Sequence, residues 1–272
     1  MHSNVYRSMK KSEAIHLIHI SDTHIGSTPD FILREKNTYD CTRALINKIT
    51  SFEAPVDFIL HTGDVVNRPE EAAYDLTRQV FCDLKSPVVY VPGNHDEPEM
   101  VNRLHDKLPW LKPLRQNSGS SEFEMKGCKF LVLDCKGSAE IDPHGIFEDA
   151  HKKVLNDFLN RGESVSSVIL LHFPPVPLDV PWIDEDMLII HGEELHRTFV
   201  ESRNRIAAVL FGHVHRRFTL VRDSILYSSA PSPFCQFSAS PVDEKVKFET
   251  DIPVSFNYVT IENGNVSVME VT

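Results

Sequence analysis

The sequence predicts an α/β fold in which a mixed β-sheet packs on a second sheet, with helices outside. Two patterns predict it. From residue 15 to residue 211, short apolar runs of strand length alternate with stretches of helical apolar period, and from residue 218 onward only strand and hairpin patterns remain. The chain is also large enough for it: 272 residues, 41% hydrophobic and 25% charged, can bury a sizeable core, and no internal repeat or low-complexity tract interrupts them.

The elements follow in order. The run Ile-His-Leu-Ile-His-Ile at 15–20 reads as a strand, and residues 42–52 set Ala44, Leu45, Ile49 and Phe52 at helical spacing. A strand over 56–60, a helix over 72–84 and a strand over 88–91 come next. Residues 122–125 and 129–133 flank Gly127 as a hairpin. A helix over 151–159, a buried strand over 168–171, a helix over 193–202 and a strand over 207–211 complete the alternation. In the β-only part, 218–221 and 225–227 flank a polar turn, and 258–261 and 266–269 flank Asn263-Gly264, a pair suited to the positive φ angles of a tight hairpin turn. No linker composition divides the chain, so 15–272 reads as one domain behind a loose tail at 1–14.

Charge narrows the partners. Lys+Arg 28 against Asp+Glu 39 gives −11 with His neutral, so most of the surface repels polyanions and long nucleic acid is a poor partner. A local positive site can still hold a small phosphate compound. The five cysteines are odd in number and lack CxxC spacing, which argues against a disulfide framework or thiolate zinc and for a reducing cytoplasm. No window reaches the apolar length of a membrane span. The sequence is compatible with a homodimer but does not fix the oligomeric state.

The chemistry gathers where strands end. Asp22 and His24 follow the first strand, Gly63-Asp64 the second, Gly93-Asn94-His95-Asp96 the third, His172 the buried strand and Gly212-His213-Val214-His215 the last of the alternating part. In α/β sheets, the loops at this strand edge converge on a rigid frame. Imidazole and carboxylate together suit zinc, iron or manganese. Asp22 and His24, at i and i+2 of an extended backbone, would point the same way and grip one ion. His213 and His215 would do likewise or divide between neighbouring ions. Asp64 has two oxygens and can bridge, Asn94 adds a neutral oxygen, and Gly63, Gly93 and Gly212 allow tight turns. Singly, each cluster has a structural explanation: a turn, a helix cap or a core histidine. Their joint occurrence, each after an apolar strand, is what points to a metal site.

In that order, these motifs resemble the calcineurin-like metallophosphoesterase superfamily, from about residue 15 to residue 236. Val91-Pro92-Gly93-Asn94-His95-Asp96, His172-Phe173-Pro174-Pro175, Trp182-Ile183-Asp184 and the stretch 229–237 resemble its class III branch of cyclic-nucleotide and glycerophosphodiester phosphodiesterases. The resemblance implies a four-layer α-β-β-α sandwich of two mixed sheets flanked by helices. It implies that Asp22, His24, Asp64 and His215 hold one metal, and that Asp64, Asn94, His172 and His213 hold the other. It also implies catalytic roles for His95, which binds the phosphate or protonates the leaving group, and for Asn94 beside it. Two positions depart from the pattern: Asn67 stands where many relatives have Asp, and Phe173 replaces the second His of His-His-Pro-Pro. Arg68 echoes a phosphate-binding Arg of protein phosphatases, but its surroundings differ and a solvated Arg is the simpler reading.

The expected function is a metal-dependent phosphodiesterase acting on a small diester, such as a cyclic nucleotide or glycerophosphodiester, by a hydroxide bridging two ions of manganese, iron or zinc. Rival readings are a DNA exonuclease, a phosphomonoesterase or protein phosphatase of the same superfamily, and a metal-free scaffold with this fold.

Overall fold

A computed structural model of the protein describes residues 13–105, 108–114, 119–161 and 166–272. In chain order, the elements are β1 (Ile15–Ile20), β2 (Ile32–Leu33), β3 (Lys36–Asn37), α1 (Thr38–Thr50), β4 (Phe58–His61), α2 (Glu71–Phe81), β5 (Val88–Tyr90), α3 (Pro98–Asn102), β6 (Lys112–Pro113), β7 (Ser121–Met125), β8 (Cys128–Val132), α4 (Asp149–Leu159) and β9 (Ser167–Leu170). They continue with α5 (Pro181–Asp186), α6 (Gly192–Glu201), β10 (Ile206–Phe211), β11 (Thr219–Arg222), β12 (Ile225–Ser229), β13 (Gln236–Phe237), β14 (Phe248–Glu249), β15 (Phe256–Glu262) and β16 (Asn265–Val271).

Two mixed sheets form the centre. One has the order β16-β15-β1-β4-β5, the other β11-β12-β10-β9-β8-β7-β6. The alternation of side chains along each strand divides the core into three. In β1, Ile15 and Leu17 join Phe58, Val89, Phe130, Leu170 and Leu210 between the sheets. Ile18 and Ile20 face the other way, onto Leu45 and Ile49 of α1 and Tyr74 and Val80 of α2. On the outer face of the second sheet, Ile169 and Val209 pack against Val154 and Phe158 of α4 and Leu195 and Phe199 of α6. The layers therefore run helix, sheet, sheet, helix.

The predicted elements are present, with shifted ends. α1 starts at Thr38, earlier than its apolar period, because the Asn37 side chain caps it by accepting from Asp40 N at 2.9 Å. α3 and α5 were not predicted. Each is short, with Pro at its start, and offers no apolar period to detect. Four hairpin turns take paired positive φ: 50° and 64° at Arg34-Glu35, 48° and 76° at Lys126-Gly127, 50° and 67° at Asp223-Ser224, and 52° and 77° at Asn263-Gly264. Of the expected tail, residues 1–12 lie outside the described residues. Its last position is tied down, since Lys126 Nζ donates to the Ala14 carbonyl at 3.0 Å. Among the described residues no helix is long and apolar enough to cross a membrane, and Cys41, Cys82, Cys128, Cys135 and Cys235 are unpaired.

What positions the site is strand direction. β1, β4 and β5 are mutually parallel in one sheet, as are β9 and β10 in the other, so each set delivers its following loops to one edge. There the loops join across the sheets: His213 N donates to Asp22 Oδ2 at 3.1 Å. Phe130, fully buried between the sheets, stacks on Phe123 at 4.6 Å and meets Phe58 edge-on at 5.4 Å. Phe130→Ala is expected to lower unfolding free energy by about 3–5 kcal/mol in chemical denaturation; a loss under about 1 kcal/mol would contradict its place in a close-packed core.

Candidate metal centre

Each loop places its ligand-type residue by an unusual backbone. Asp22, His24, Asp64, His213 and His215 have φ of 56°, 44°, 52°, 69° and 52°. Left-handed backbone at a residue with a Cβ costs about 1–2 kcal/mol, and five such residues converging on one spot mark a site where geometry outweighs stability. This corrects the expectation for Asp22 and His24: they do not alternate along a strand but turn inward one after the other. The turns are pinned by Asp22 N to the Gly63 carbonyl and His24 N to the Asp64 carbonyl, both 3.0 Å. Two glycines make room. A Cβ at Gly63 would lie 2.4 Å from His172 Nδ1, and one at Gly93 would lie 2.2 Å from Asp64 Oδ1.

The side chains form two groups that share Asp64. Asp22, His24, Asp64 and His215 bring ligand atoms within 4.8 Å of one another, and so do Asp64, His172 and His213. His24 Nε2 lies 3.4 Å from Asp64 Oδ2, while His172 Nε2 lies 3.4 Å from Asp64 Oδ1. In the first group His24 Nε2 and His215 Nε2 are 3.1 Å apart, and His215 Nε2 is 3.8 Å from Asp22 Oδ1. In the second, His172 Nε2 is 3.1 Å from both Asn94 Oδ1 and His213 Nδ1. Ligands bonded to one ion at about 2.1 Å stand about 3.0–3.4 Å apart, so most of these spacings fit two coordination shells.

The protons agree. His172 Nδ1 donates to the Thr62 carbonyl at 2.7 Å and His215 Nδ1 to the Cys235 carbonyl at 3.0 Å. A carbonyl can only accept, so in each neutral ring the Nε2 lone pair faces the cluster, as a metal-binding imidazole requires. A neutral His172 would point its Nε2 lone pair at the Asn94 oxygen, an arrangement that either a proton on Nε2 or a cation relieves. Burial holds His24 and His213 well below the usual histidine value and His215 down to about 4. Burial pushes Asp22 up to about 8. It raises Asp64 as well, but His172, His95 and His24 outweigh it and hold that carboxyl well below its ordinary value. His172 goes the other way: burial lowers it, yet Asp64 brings it up to about 9. Protons and cations compete for such lone pairs.

His95 stands at the edge, half-buried. Its N–H donates to Asp64 Oδ1 at 2.9 Å, and its Nδ1 to the Asn67 carbonyl at 2.8 Å, which leaves Nε2 free of that bond. The Asn67 side chain is not needed for this contact, so the departure at that position leaves the ring's orientation intact. Burial lowers His95, but Asp64 and the Asn67 carbonyl prevail and raise it. Phe173 wedges edge-on against His172 and His213, 4.9 Å from each ring. Arg68 is exposed. His61 lies behind the centre, accepting from Gly63 N and meeting Thr23 Oγ1 at 2.9 Å, as a supporting rather than ligating residue. Sequence reasoning gave Asp96 only a cap. It accepts from Gly93 N, Val65 N and Val66 N at 2.9, 3.1 and 3.2 Å, which ties the two ligand loops together. His144, without a motif to signal it, borders the cavity of about 740 Å³ over the centre.

Compared with known families, residues 15–217 match the calcineurin-like phosphoesterases. The chain is a calcineurin-like phosphoesterase. It is 26% identical over 250 residues to a probable glycerophosphodiester phosphodiesterase of Arcobacter nitrofigilis, covering 91% of this chain and 90% of the relative. It is 25% identical over 224 residues to the 3′,5′-cyclic adenosine monophosphate phosphodiesterase of Escherichia coli K12, covering 82% and 78%. The fold is similar to that of a dimetal phosphatase from Danio rerio, with a TM-score of 0.61 at 13% identity over 93% of this chain and 98% of the other. As a calcineurin-like phosphoesterase, the protein belongs to the metallophosphoesterases, and both of these sequence relatives are named as phosphodiesterases. Gly93→Ala drives a methyl group against Asp64 and is expected to abolish stoichiometric metal binding, read by elemental analysis, while the far-ultraviolet circular dichroism stays native-like. Full metal content in that variant would contradict the close approach.

Proposed function

We propose that the protein hydrolyses small phosphodiesters at a centre of two metal ions. Asp22, His24, Asp64 and His215 hold one ion, and Asp64, Asn94, His172 and His213 the other. The single observation that supports this most is the division of Asp64: its two oxygens face two separate sets of ligand atoms. Bound there, manganese, iron or zinc would supply Lewis acidity toward water and the phosphoryl oxygens.

The chain's own groups do the rest. Two buried carboxylates against two divalent ions leave a positive balance, which draws a small anion despite the net charge of −11. Asn94 orients the phosphate beside its ion. His95, fixed through Nδ1 and bordering the cavity, is favoured as the imidazolium by Asp64, and in that form donates its Nε2 proton to the leaving oxygen. Cyclic nucleotides and glycerophosphodiesters, the substrates in the names of the two relatives, are the first to test. The acidic surface opposes a DNA exonuclease reading. The five unpaired thiols suit the cytoplasm.

His95→Ala is expected to lower kcat on a diester such as bis(4-nitrophenyl) phosphate by about 10²–10⁴-fold with metal content retained. A full rate would remove His95 from the reaction. Asp64→Ala is expected to lose both ions by elemental analysis, since it serves both groups; two ions per chain retained would exclude the bridge. A panel of diesters and monoesters assayed with manganese, iron or zinc tests the reading as a whole, and a preference for monoesters would overturn it.

A further inference from the structure

Two cavities meet beside His95. The larger, about 740 Å³, lies over the metal centre; the smaller is about 280 Å³; and Asn94, His95, Asp142 and His144 border both. Their walls differ in kind. The larger is walled by rings in contact: Phe237 stacks on His215 at 4.1 Å and meets Trp182 at 5.6 Å and Phe248 at 5.7 Å. Above Phe248, which is 41% exposed, lies the guanidinium of Arg34, 3.8 Å from the ring centre, at the tip of the β2–β3 hairpin. A wall of contacting rings and a planar cation suits a flat, apolar group. The rim carboxylates of Glu140 and Asp186 disfavour a second negative charge there.

The smaller cavity has no aromatic wall beyond its histidines. Lys136 borders it, with its N–H on Asp134 Oδ1 at 2.9 Å and its ammonium donating to the Asp96 carbonyl. An ammonium has three donors, so this one carbonyl does not exhaust it. His144 Nδ1 donates to the Leu188 carbonyl at 3.0 Å, which leaves Nε2 as an acceptor in the neutral ring. Asp142 supplies acceptor oxygens. Donor and acceptors close together suit hydroxyl groups, each of which both gives and takes a hydrogen bond.

From this pairing we infer that the enzyme selects open-chain phosphodiesters with unlike arms: a flat, apolar alcohol in the larger cavity and a small hydroxylated alcohol in the smaller, with the phosphate at their junction. This rests on the phosphodiesterase reading above. Lys136 and His144 recognise one arm, Phe248 and Arg34 the other. A cyclic diester carries both ester oxygens on one sugar and cannot send an arm into each cavity.

The test uses the manganese-loaded protein with the glycerol ester and the methyl ester of 1-naphthyl phosphate, adenosine 3′,5′-cyclic phosphate, and bis(4-nitrophenyl) phosphate as the reference. The expected kcat/KM for the glycerol ester exceeds those for the methyl and cyclic esters by about tenfold or more, the scale of one hydrogen bond to a charged group. Lys136→Met is expected to lower kcat/KM for the glycerol ester about tenfold more than for the methyl ester, and His144→Gln to act in the same direction. Phe248→Ala is expected to raise KM for both naphthyl esters by equal factors. A cyclic ester cleaved as well as the glycerol ester, or equal losses on every substrate in the Lys136 and His144 variants, overturns the inference while leaving the phosphodiesterase reading standing. No turnover of the reference diester or any other would sink that reading and the inference with it.

Discussion

The Asp64 carboxylate is 2% exposed and shares its site with Asp22, which is fully buried. Around Asp64 stand His24, His172 and the His95 N–H, with Gly63 and Gly93 pressed close. Two carboxylates withdrawn from water cost several kcal/mol each unless opposite charge compensates them, and of the imidazoles between them only His172 is drawn toward its charged form, while His24, His213 and His215 supply lone pairs. The centre thus has a deficit of positive charge built into the fold. A bound cation cancels it, so ion binding and folding stability are coupled.

The same demand accounts for the backbone around the centre. Short left-handed turns at five ligand-type positions aim side chains inward that a continuing strand would send alternately to either face. Such turns persist only when their surroundings hold them. Asp96 does so for two loops at once, and Ser232 helps by donating to the Asp22 carbonyl at 2.8 Å. Rigidity comes from the parallel strands beneath, whose ends bring residues from distant parts of the chain to one edge.

Much of this is legible in the sequence, for definite reasons. The strands are apolar runs bounded by polar clusters, and α1, α2, α4 and α6 bury one face at helical spacing, so local composition reports both. The residues of the centre are legible because each sits in a short motif at a strand end. What escapes is what motifs do not encode. The i and i+2 argument for Asp22 and His24 assumed extended backbone, because φ is invisible in composition. Lys136, His144, Arg34 and Phe248 border the cavities through contacts between distant loops, and no local pattern distinguishes them from surface residues. Asp96 sits in a motif, yet its role depends on the amides of Val65 and Val66, some thirty positions earlier.

Strand β1 lies between β4 and β15, with Ile15 opposite Ile261 and Leu17 opposite both Phe58 and Val259. One flank of the strand that leads into Asp22 is therefore closed by a hairpin made more than two hundred positions later. While the chain emerges from the ribosome, β1 keeps a bare apolar edge until that hairpin is available, and bare edges invite pairing with other chains. Nascent protein thus stays adhesive beside its own future centre until the hairpin of β15 and β16 seals that flank.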